Sequence, residues 1–108
     1  MLPKVDRLTS DEVSQLSQGK SVFGTLLSIR YIPSEKLGFS ISVSKKVASR
    51  AVDRNYIRRR IYSIIRELKK DLKTKALIMI MPKKECLTED IKNIEKDLIN
   101  LFHKANLS

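Results

Sequence analysis

The sequence predicts a single α+β domain with the order α-β-β-(β)-α-β-α, a small sandwich in which helices pack on one sheet. Residues 39–44 alternate strictly between apolar and hydroxyl side chains, which is typical of a half-buried strand. Residues 76–81 (ALIMIM) are continuously apolar, which favours a strand covered on both faces. Apolar residues at helical spacing precede and follow that strand. A chain of 108 residues predicts one domain, residues 1–108.

The N-terminal part is predicted to hold a short helix and then β-structure. Thr9 or Ser10 can cap a helix over residues 9–18, and Gly19 can end it. Residues 22–32 are rich in β-forming side chains. Two faces are expected there, with Leu27, Ile29 and Tyr31 on one and Ser28, Arg30 and Ile32 on the other. The β-rich stretch could be split into two strands, and a turn follows it at residues 33–36.

The longest predicted helix runs from about residue 49 or 51 to residue 73. Its core stripe recurs at three and four positions and consists of Ile57, Ile61, Ile64, Ile65, Leu68 and Leu72. At about 100° per residue, one adjoining flank collects Arg58, Lys69, Tyr62, Asn55, Arg66 and Arg59. Arg50 and Arg54 are in line with the stripe, so we expect them at an exposed N-terminal end. Thr88 is predicted to cap a last helix with the buried stripe Ile91, Ile94, Leu98, Leu101 and Phe102.

The positive charge of the chain is concentrated in one segment. The formal net charge is +10 and the pI is near 10.0. Residues 44–60 (SKKVASRAVDRNYIRRR) contain seven basic residues and one acid, Asp53. Such a segment indicates a nucleic acid, an anionic membrane or an acidic protein as partner. Arginine can hold two phosphate oxygens at once, and asparagine can contact a base or a 2′-hydroxyl.

Other chemistry is poorly supported by the sequence. His103 has no metal-ligating neighbour at a suitable spacing, and the three glycines are too scattered for a phosphate loop. The acids Glu89, Asp90, Glu95 and Asp97 fit helix capping and a solvated face better than a cation site. We therefore predict neither catalytic residues nor a metal site on the protein. The lone Cys86 fits a reducing cytoplasm, and no apolar run reaches the roughly 18 residues of a membrane span.

Nearly the whole chain resembles a known family, most specifically in residues 42–60. The strand ending SVSKK, a short loop and the helix AVDRNYIRRRI resemble the protein subunit of bacterial ribonuclease P. The resemblance implies a fold like domain 2 of ribosomal protein S5, with a left-handed β-α-β crossover. It also implies a ribonucleoprotein endoribonuclease that removes the 5′ leader of precursor tRNA. Its RNA subunit would perform the hydrolysis with Mg²⁺, and the protein would bind RNase P RNA and the leader, with no obligate protein partner.

The resemblance and the charge pattern together assign two sets of site residues. The expected RNA-binding residues are Lys45, Lys46, Arg50, Arg54, Asn55, Arg58, Arg59, Tyr62 and Arg66. The expected leader cleft, between the first helix and the sheet, is lined by Val13, Leu16, Arg30, Ser40, Ser42 and Ser44. Small hydroxyl side chains leave room for a single strand to approach the sheet.

The chain departs from the family pattern at several positions. Tyr56 replaces the second arginine of the signature helix, Tyr62 replaces a common basic residue, and Ala48 replaces a glycine. Val13 and Leu16 stand where phenylalanines are frequent, and Arg30 stands near a frequent aromatic position. A cleft with fewer rings is expected to stack bases less and to hold phosphates more, although Tyr56 and Tyr62 could restore stacking from the helix.

Two alternatives remain at this point. The first is a non-catalytic, ribosomal-type RNA-binding protein with the same fold. The second is a DNA-binding module that uses the basic helix for recognition, which a short helix and turn before it would favour. A serine-faced strand precedes the helix instead, and this argues against the second alternative.

Overall fold

The computed structural model describes residues 10–107, which form a four-stranded sheet and three α-helices. The elements in chain order are α1 (Ser10–Gln15), β1 (Lys20–Phe23), β2 (Leu27–Pro33), β3 (Gly38–Ile41), α2 (Ala51–Leu68), β4 (Ala76–Pro82) and α3 (Ile91–Lys104). Short 3₁₀ segments follow α1 and α2 and precede α3, at Leu16–Gln18, Lys69–Asp71 and Lys84–Leu87. The predicted cap Thr9 lies outside the described residues.

The strand order in the sheet is β1-β2-β4-β3. β2 pairs antiparallel with both β1 and β4, whereas β3 pairs parallel with β4. The predicted α+β fold is therefore confirmed, including the additional strand, because residues 24–26 separate β1 from β2. α2 is the crossover between the parallel neighbours β3 and β4, and its left hand stays a prediction from the resemblance.

Both helices α2 and α3 cover one face of the sheet and form the main core. Phe39, Ile41 and Val43 are buried there, as the alternation predicts, while Ser42 and Ser44 are exposed. The helix stripe is confirmed at Ile57, Ile61, Ile64 and Ile65, and Leu68 and Leu72 are partly buried against the same core. The stripe of α3 is confirmed at Ile94, Leu98, Leu101 and Phe102, whereas Ile91 is exposed.

The opposite side of the sheet, here called the outer face, is covered only in part. Leu77 of β4 is buried on this side, where the 3₁₀ segment at Leu16 lies against β2 and β4. Met79 and Met81, two and four residues further on, are only partly buried. The prediction that both faces of β4 are covered is therefore wrong for its C-terminal half, which leaves an accessible surface beside β3.

The first turn of α3 differs from the prediction. Asp90 caps the helix, since its side-chain oxygen accepts a hydrogen bond from the Lys92 N–H at 2.9 Å. Thr88 instead ends the preceding 3₁₀ segment, where its N–H donates to the Glu85 carbonyl at 3.2 Å. Thr88 and Asp90 are both good capping residues, and only the extent of that 3₁₀ segment decides between them.

Gly19 ends the N-terminal helical segment as predicted, but for a different reason. Its backbone is extended, with φ −78° and ψ 173°, and not left-handed. A Cβ at this position would collide with the carbonyl oxygen of Tyr31 in β2. The glycine thus permits the close approach of the segment to the sheet. Within residues 10–107, no helix is long and apolar enough to cross a membrane.

Candidate nucleic-acid interface

The predicted RNA-binding residues lie on the loop before α2 and on α2 itself. We call this set the basic face: Lys45, Lys46, Arg50, Arg54, Asn55, Arg58, Arg59, Tyr62 and Arg66. The loop is folded by backbone hydrogen bonds, because the N–H groups of Val47 and Ala48 both donate to the Ser44 carbonyl. This turn directs the chain from β3 into the first turn of α2.

The outermost cations of the basic face are available for a ligand. Lys45, Lys46, Arg50 and Arg59 are exposed, and their side chains have no hydrogen-bond or ion-pair partner within residues 10–107. Arg50 caps α2 through its backbone, which is extended, and its side chain makes no capping hydrogen bond. Several uncompensated cations within a short segment are suited to a polyanion.

Arg54 has a structural role that the sequence did not predict. Its Nη1 donates hydrogen bonds to the carbonyls of Ala48 and Ser49, each at 2.9 Å, and the side chain is half-buried. The predicted exposed position of Arg54 is therefore wrong. Its guanidinium folds back to hold the loop against α2, and its remaining N–H groups are left for a ligand.

Asn55 and Arg58 form a pair on the surface of α2. Arg58 Nη1 donates to Asn55 Oδ1 at 2.9 Å. Asn55 is exposed and Arg58 is half-buried, as is Tyr62 one turn later. The hydrogen bond orients the arginine fork and leaves the Asn55 amide N–H₂ as a donor. This geometry suits a phosphate and a neighbouring ribose or base.

Arg60 belongs to a different side of the helix. Two residues correspond to about 200° of rotation, so Arg60 and Arg58 point in nearly opposite directions. Arg60 donates to the Cys86 carbonyl at 2.7 Å and also to the Glu89 carbonyl, both just before α3. Its guanidinium carbon lies 5.4 Å from the centre of the Tyr56 ring. Arg60 is thus a packing residue, and Arg58 points away from this contact with the segment before α3.

The outer face of the sheet adjoins the basic face at β3. Strand register places two rows of side chains across it, Ser21–Arg30–Met79–Ser40 and Phe23–Ser28–Met81–Ser42, where Ser42 extends β3 through its N–H bond to the Ile80 carbonyl at 2.9 Å. The first row includes a direct contact, since Arg30 Nε donates to Ser21 Oγ at 3.1 Å. These rows contain Arg30, Ser40 and Ser42, so the structure brings three of the predicted cleft residues together. Ser44 lies just beyond them and is exposed.

The first helix closes one end of this surface. Lys36, in the turn between β2 and β3, forms an ion pair of 2.9 Å with Glu12 of α1. Val13 is half-buried, whereas Leu16 is fully buried. Leu16 therefore anchors the segment on the sheet and does not line an accessible cleft, which corrects the prediction for this residue.

Sequence reasoning missed three side chains of the outer face. Phe23 is absent from the predicted cleft, and the prediction of a strand covered on both faces makes Met79 and Met81 buried. The signal was present in the alternation of β1 and β4, but only the register shows that these strands share a face with Ser42. Among residues 11–107, no group of three or more metal-ligating side chains is close enough to hold an ion.

The family model of ribonuclease P matches residues 2–106 of this chain. This chain belongs to the ribonuclease P protein family. The ribonuclease P protein component of Thermus scotoductus is 33% identical over 105 residues, which cover 96% of this chain and 62% of that relative. The chain therefore spans less than two thirds of the length of this relative. The component of Microcystis aeruginosa is 34% identical over 117 residues, covering 98% of this chain and 95% of that relative.

Solved structures of the family support the same fold. A mutant of the Staphylococcus aureus RNase P protein superposes with a TM-score of 0.84, covering 97% of this chain and 92% of that chain at 21% identity. At this identity the likeness concerns the fold alone. Together with the family match, it confirms the resemblance seen in the SVSKK strand and the RNYIRRR helix.

Proposed function

We propose that this chain is the protein subunit of the endoribonuclease RNase P and acts in the removal of 5′ leaders from precursor tRNA. The observation that carries the proposal is the junction of two surfaces. The exposed lysines Lys45 and Lys46 of the basic face follow directly on an open, hydroxyl-lined part of the sheet at β3. One surface suits a structured RNA, and the other suits a single strand.

The basic face would bind RNase P RNA. Lys45, Lys46 and Arg59 supply exposed positive charge, and the paired Asn55 and Arg58 supply directed hydrogen bonds. Neutralising phosphates releases counterions, so this contact would weaken steeply as salt rises. The family match supports this partner without identifying the contact residues.

The outer face would hold the leader of the precursor tRNA. Ser40 and Ser42 are small enough for the RNA backbone to approach, and Arg30 places a guanidinium between them and Ser21. A single strand can follow such a surface through its phosphates while bases contact apolar side chains. The partly buried Met79 and Met81 provide that apolar component on this surface.

The chemistry is assigned to the RNA subunit in this proposal. Mg²⁺ would be bound mainly by RNA phosphates and would supply the activated water for phosphodiester hydrolysis. The protein would reduce the repulsion between two polyanions and would order them, which increases the affinity of the RNA for Mg²⁺. The protein alone would have no nuclease activity, and no other protein would be required.

Reconstitution tests the proposal directly. Purified protein and the RNase P RNA of the same organism are mixed with precursor tRNA at low Mg²⁺, where the RNA alone is slow. We expect rapid cleavage of the leader only when both are present. Carefully purified RNA-free protein should leave the substrate intact. If the protein binds both RNAs but fails to restore cleavage, the ribosomal-type alternative is favoured instead.

A further inference from the structure

Phe23 is an exposed aromatic side chain with no role in the core. It is 74% exposed, more than any other large hydrophobic residue described within residues 11–107. Single exposed hydrophobic residues are common on protein surfaces and need no explanation by themselves. The position of this ring within the sheet is what distinguishes it.

Phe23 lies on the same face as the proposed leader surface. The Arg30–Ser21 hydrogen bond fixes Ser21 on the outer face, and alternation along β1 then places Phe23 there as well. Phe23 is opposite Ser28, which is opposite Met81. The ring therefore terminates a row that begins at Ser42. With strands about 4.8 Å apart, it lies roughly 14 Å from the Ser42 side of the sheet.

The backbone after Phe23 is firmly held. The Gly24 N–H donates to the Leu27 carbonyl at 2.8 Å, closing the turn between β1 and β2. The Asp97 carboxylate of α3 accepts the N–H groups of Thr25, Leu26 and Leu27 at distances of 3.1, 2.9 and 2.9 Å. A ring carried by a fixed turn loses little further freedom when a ligand stacks on it.

A cation is bonded to the turn that follows this ring. Lys83 follows β4, and its Nζ donates to the carbonyl of Gly24, the residue after Phe23, at 3.2 Å. The Lys83 side chain is exposed, and its ammonium group has two further donors. An exposed ring and an ammonium group on the adjoining turn could contact the two parts of one nucleotide, its base and its phosphate.

We propose that Phe23 and Lys83 form a nucleotide subsite at the β1 end of the outer face, where the ring stacks on an unpaired base and the ammonium group binds its phosphate. The inference deepens the proposed function and depends on the outer face holding single-stranded RNA. It assigns base contacts to a cleft in which Val13 and Arg30 provide no rings. The subsite accepts any base, because every base offers a stacking face.

The first test separates base contacts from phosphate contacts. The affinity of the full chain is measured for a short labelled oligouridine and for an abasic oligoribonucleotide with the same number of phosphates. In the wild-type protein the oligouridine should bind more tightly. Phe23→Leu, which removes the ring but keeps an apolar side chain, should reduce this ratio on the order of tenfold, and Phe23→Tyr should preserve it. Ile91→Ala, which removes an exposed apolar side chain at the start of α3, is the control and should also preserve the ratio.

A salt titration tests Lys83. Lys83→Gln should lower the slope of log affinity against log salt by about 0.7, the value for one phosphate on a single strand. Lys92→Gln, which removes an exposed charge on α3, should leave the slope unchanged. An unchanged base-dependence in Phe23→Leu, or an unchanged slope in Lys83→Gln, overturns the subsite. If reconstituted cleavage fails while both changes appear, the subsite stands and only the RNase P assignment is lost.

Discussion

Arg54 holds the loop that carries the paired lysines, because its Nη1 donates to the Ala48 carbonyl at 2.9 Å. A second bond of 2.9 Å to the Ser49 carbonyl comes from the same nitrogen. The first arginine of the signature helix thus fixes the backbone of the loop just after Lys45 and Lys46. Its contribution to RNA binding is expected to be partly indirect.

This contact predicts that Arg54→Ala affects both stability and binding. Hydrogen bonds from a charged group contribute about 1.5–3 kcal/mol, so the free energy of unfolding should fall by about 1–3 kcal/mol. The matched variant is Arg59→Ala, whose exposed side chain has no partner within residues 10–107. Urea denaturation should show a loss for Arg54→Ala only, whereas RNA binding should weaken in both. Equal stability of the two variants would contradict the structural role of Arg54.

Arg58 is predicted to act directly on RNA. Loss of its oriented fork should weaken binding of RNase P RNA by about 1–3 kcal/mol, without a change in stability. Fluorescence anisotropy at several salt concentrations measures the effect. Lys92→Ala removes the same charge from α3 and should bind almost as the wild-type protein does. If Lys92→Ala and Arg58→Ala lose affinity equally, only net charge matters and the basic face is not a specific site.

Gly24 and Asp97 are predicted to be energetically coupled. A Cβ at Gly24 would lie 2.7 and 2.9 Å from the two carboxylate oxygens of Asp97 and 3.0 Å from the Leu27 carbonyl. Gly24→Ala should therefore destabilise the protein, and Asp97→Ala should destabilise it by about 1–3 kcal/mol because three N–H groups lose their acceptor. The double variant should lose less free energy of unfolding than the two single variants lose together, since the small side chain at position 97 relieves part of the clash. Strict additivity in urea denaturation would be evidence against this coupling.

The buried thiol of Cys86 predicts a stability change in alkali. Burial raises the pKa of this thiol from its usual 9.0 to about 11. As the pH rises, the thiol of the unfolded chain loses its proton before the buried thiol does. The contribution of the buried thiol to the free energy of unfolding is therefore complete below pH 9 and is lost as the pH rises towards 11. Between about pH 8 and about pH 10.5, the wild-type protein should lose about 2 kcal/mol more unfolding free energy than Cys86→Ala. If the unfolding free energies of the wild-type protein and of Cys86→Ala change with pH in parallel, burial does not raise the pKa of this thiol.

The elements with strong periodicity could be predicted from the sequence. The stripe of α2 from Ile57 to Ile65 and the alternation of Phe39, Ile41 and Val43 follow from short-range spacing alone. The same spacing could not show that Arg54 folds back onto the preceding loop, since a helical projection ignores residues before the helix. The role of Gly24 also escaped prediction, because it depends on a contact with Asp97, 73 positions later in the chain.

The outer face could be predicted only in part. The serines of β3 were visible as a hydroxyl-lined side, and Arg30 was visible as a cation beside it. Phe23 and Met81 join them only through the pairing of β1 with β2 and of β2 with β4. Burial of Leu16 likewise depends on how the first segment packs against the sheet.

The most direct measurement compares the binding of two tRNAs to the reconstituted holoenzyme, for one test variant and one control variant. Ser42→Leu fills the outer face without removing a charge, and Ser63→Leu makes the same change on the exposed surface of α2. Affinity is measured for precursor tRNA with its leader and for mature tRNA. We predict that Ser42→Leu weakens binding of the precursor but not of mature tRNA, and that Ser63→Leu changes neither. Equal losses for both tRNAs, or no loss for the precursor, would contradict the claim that this face holds the leader.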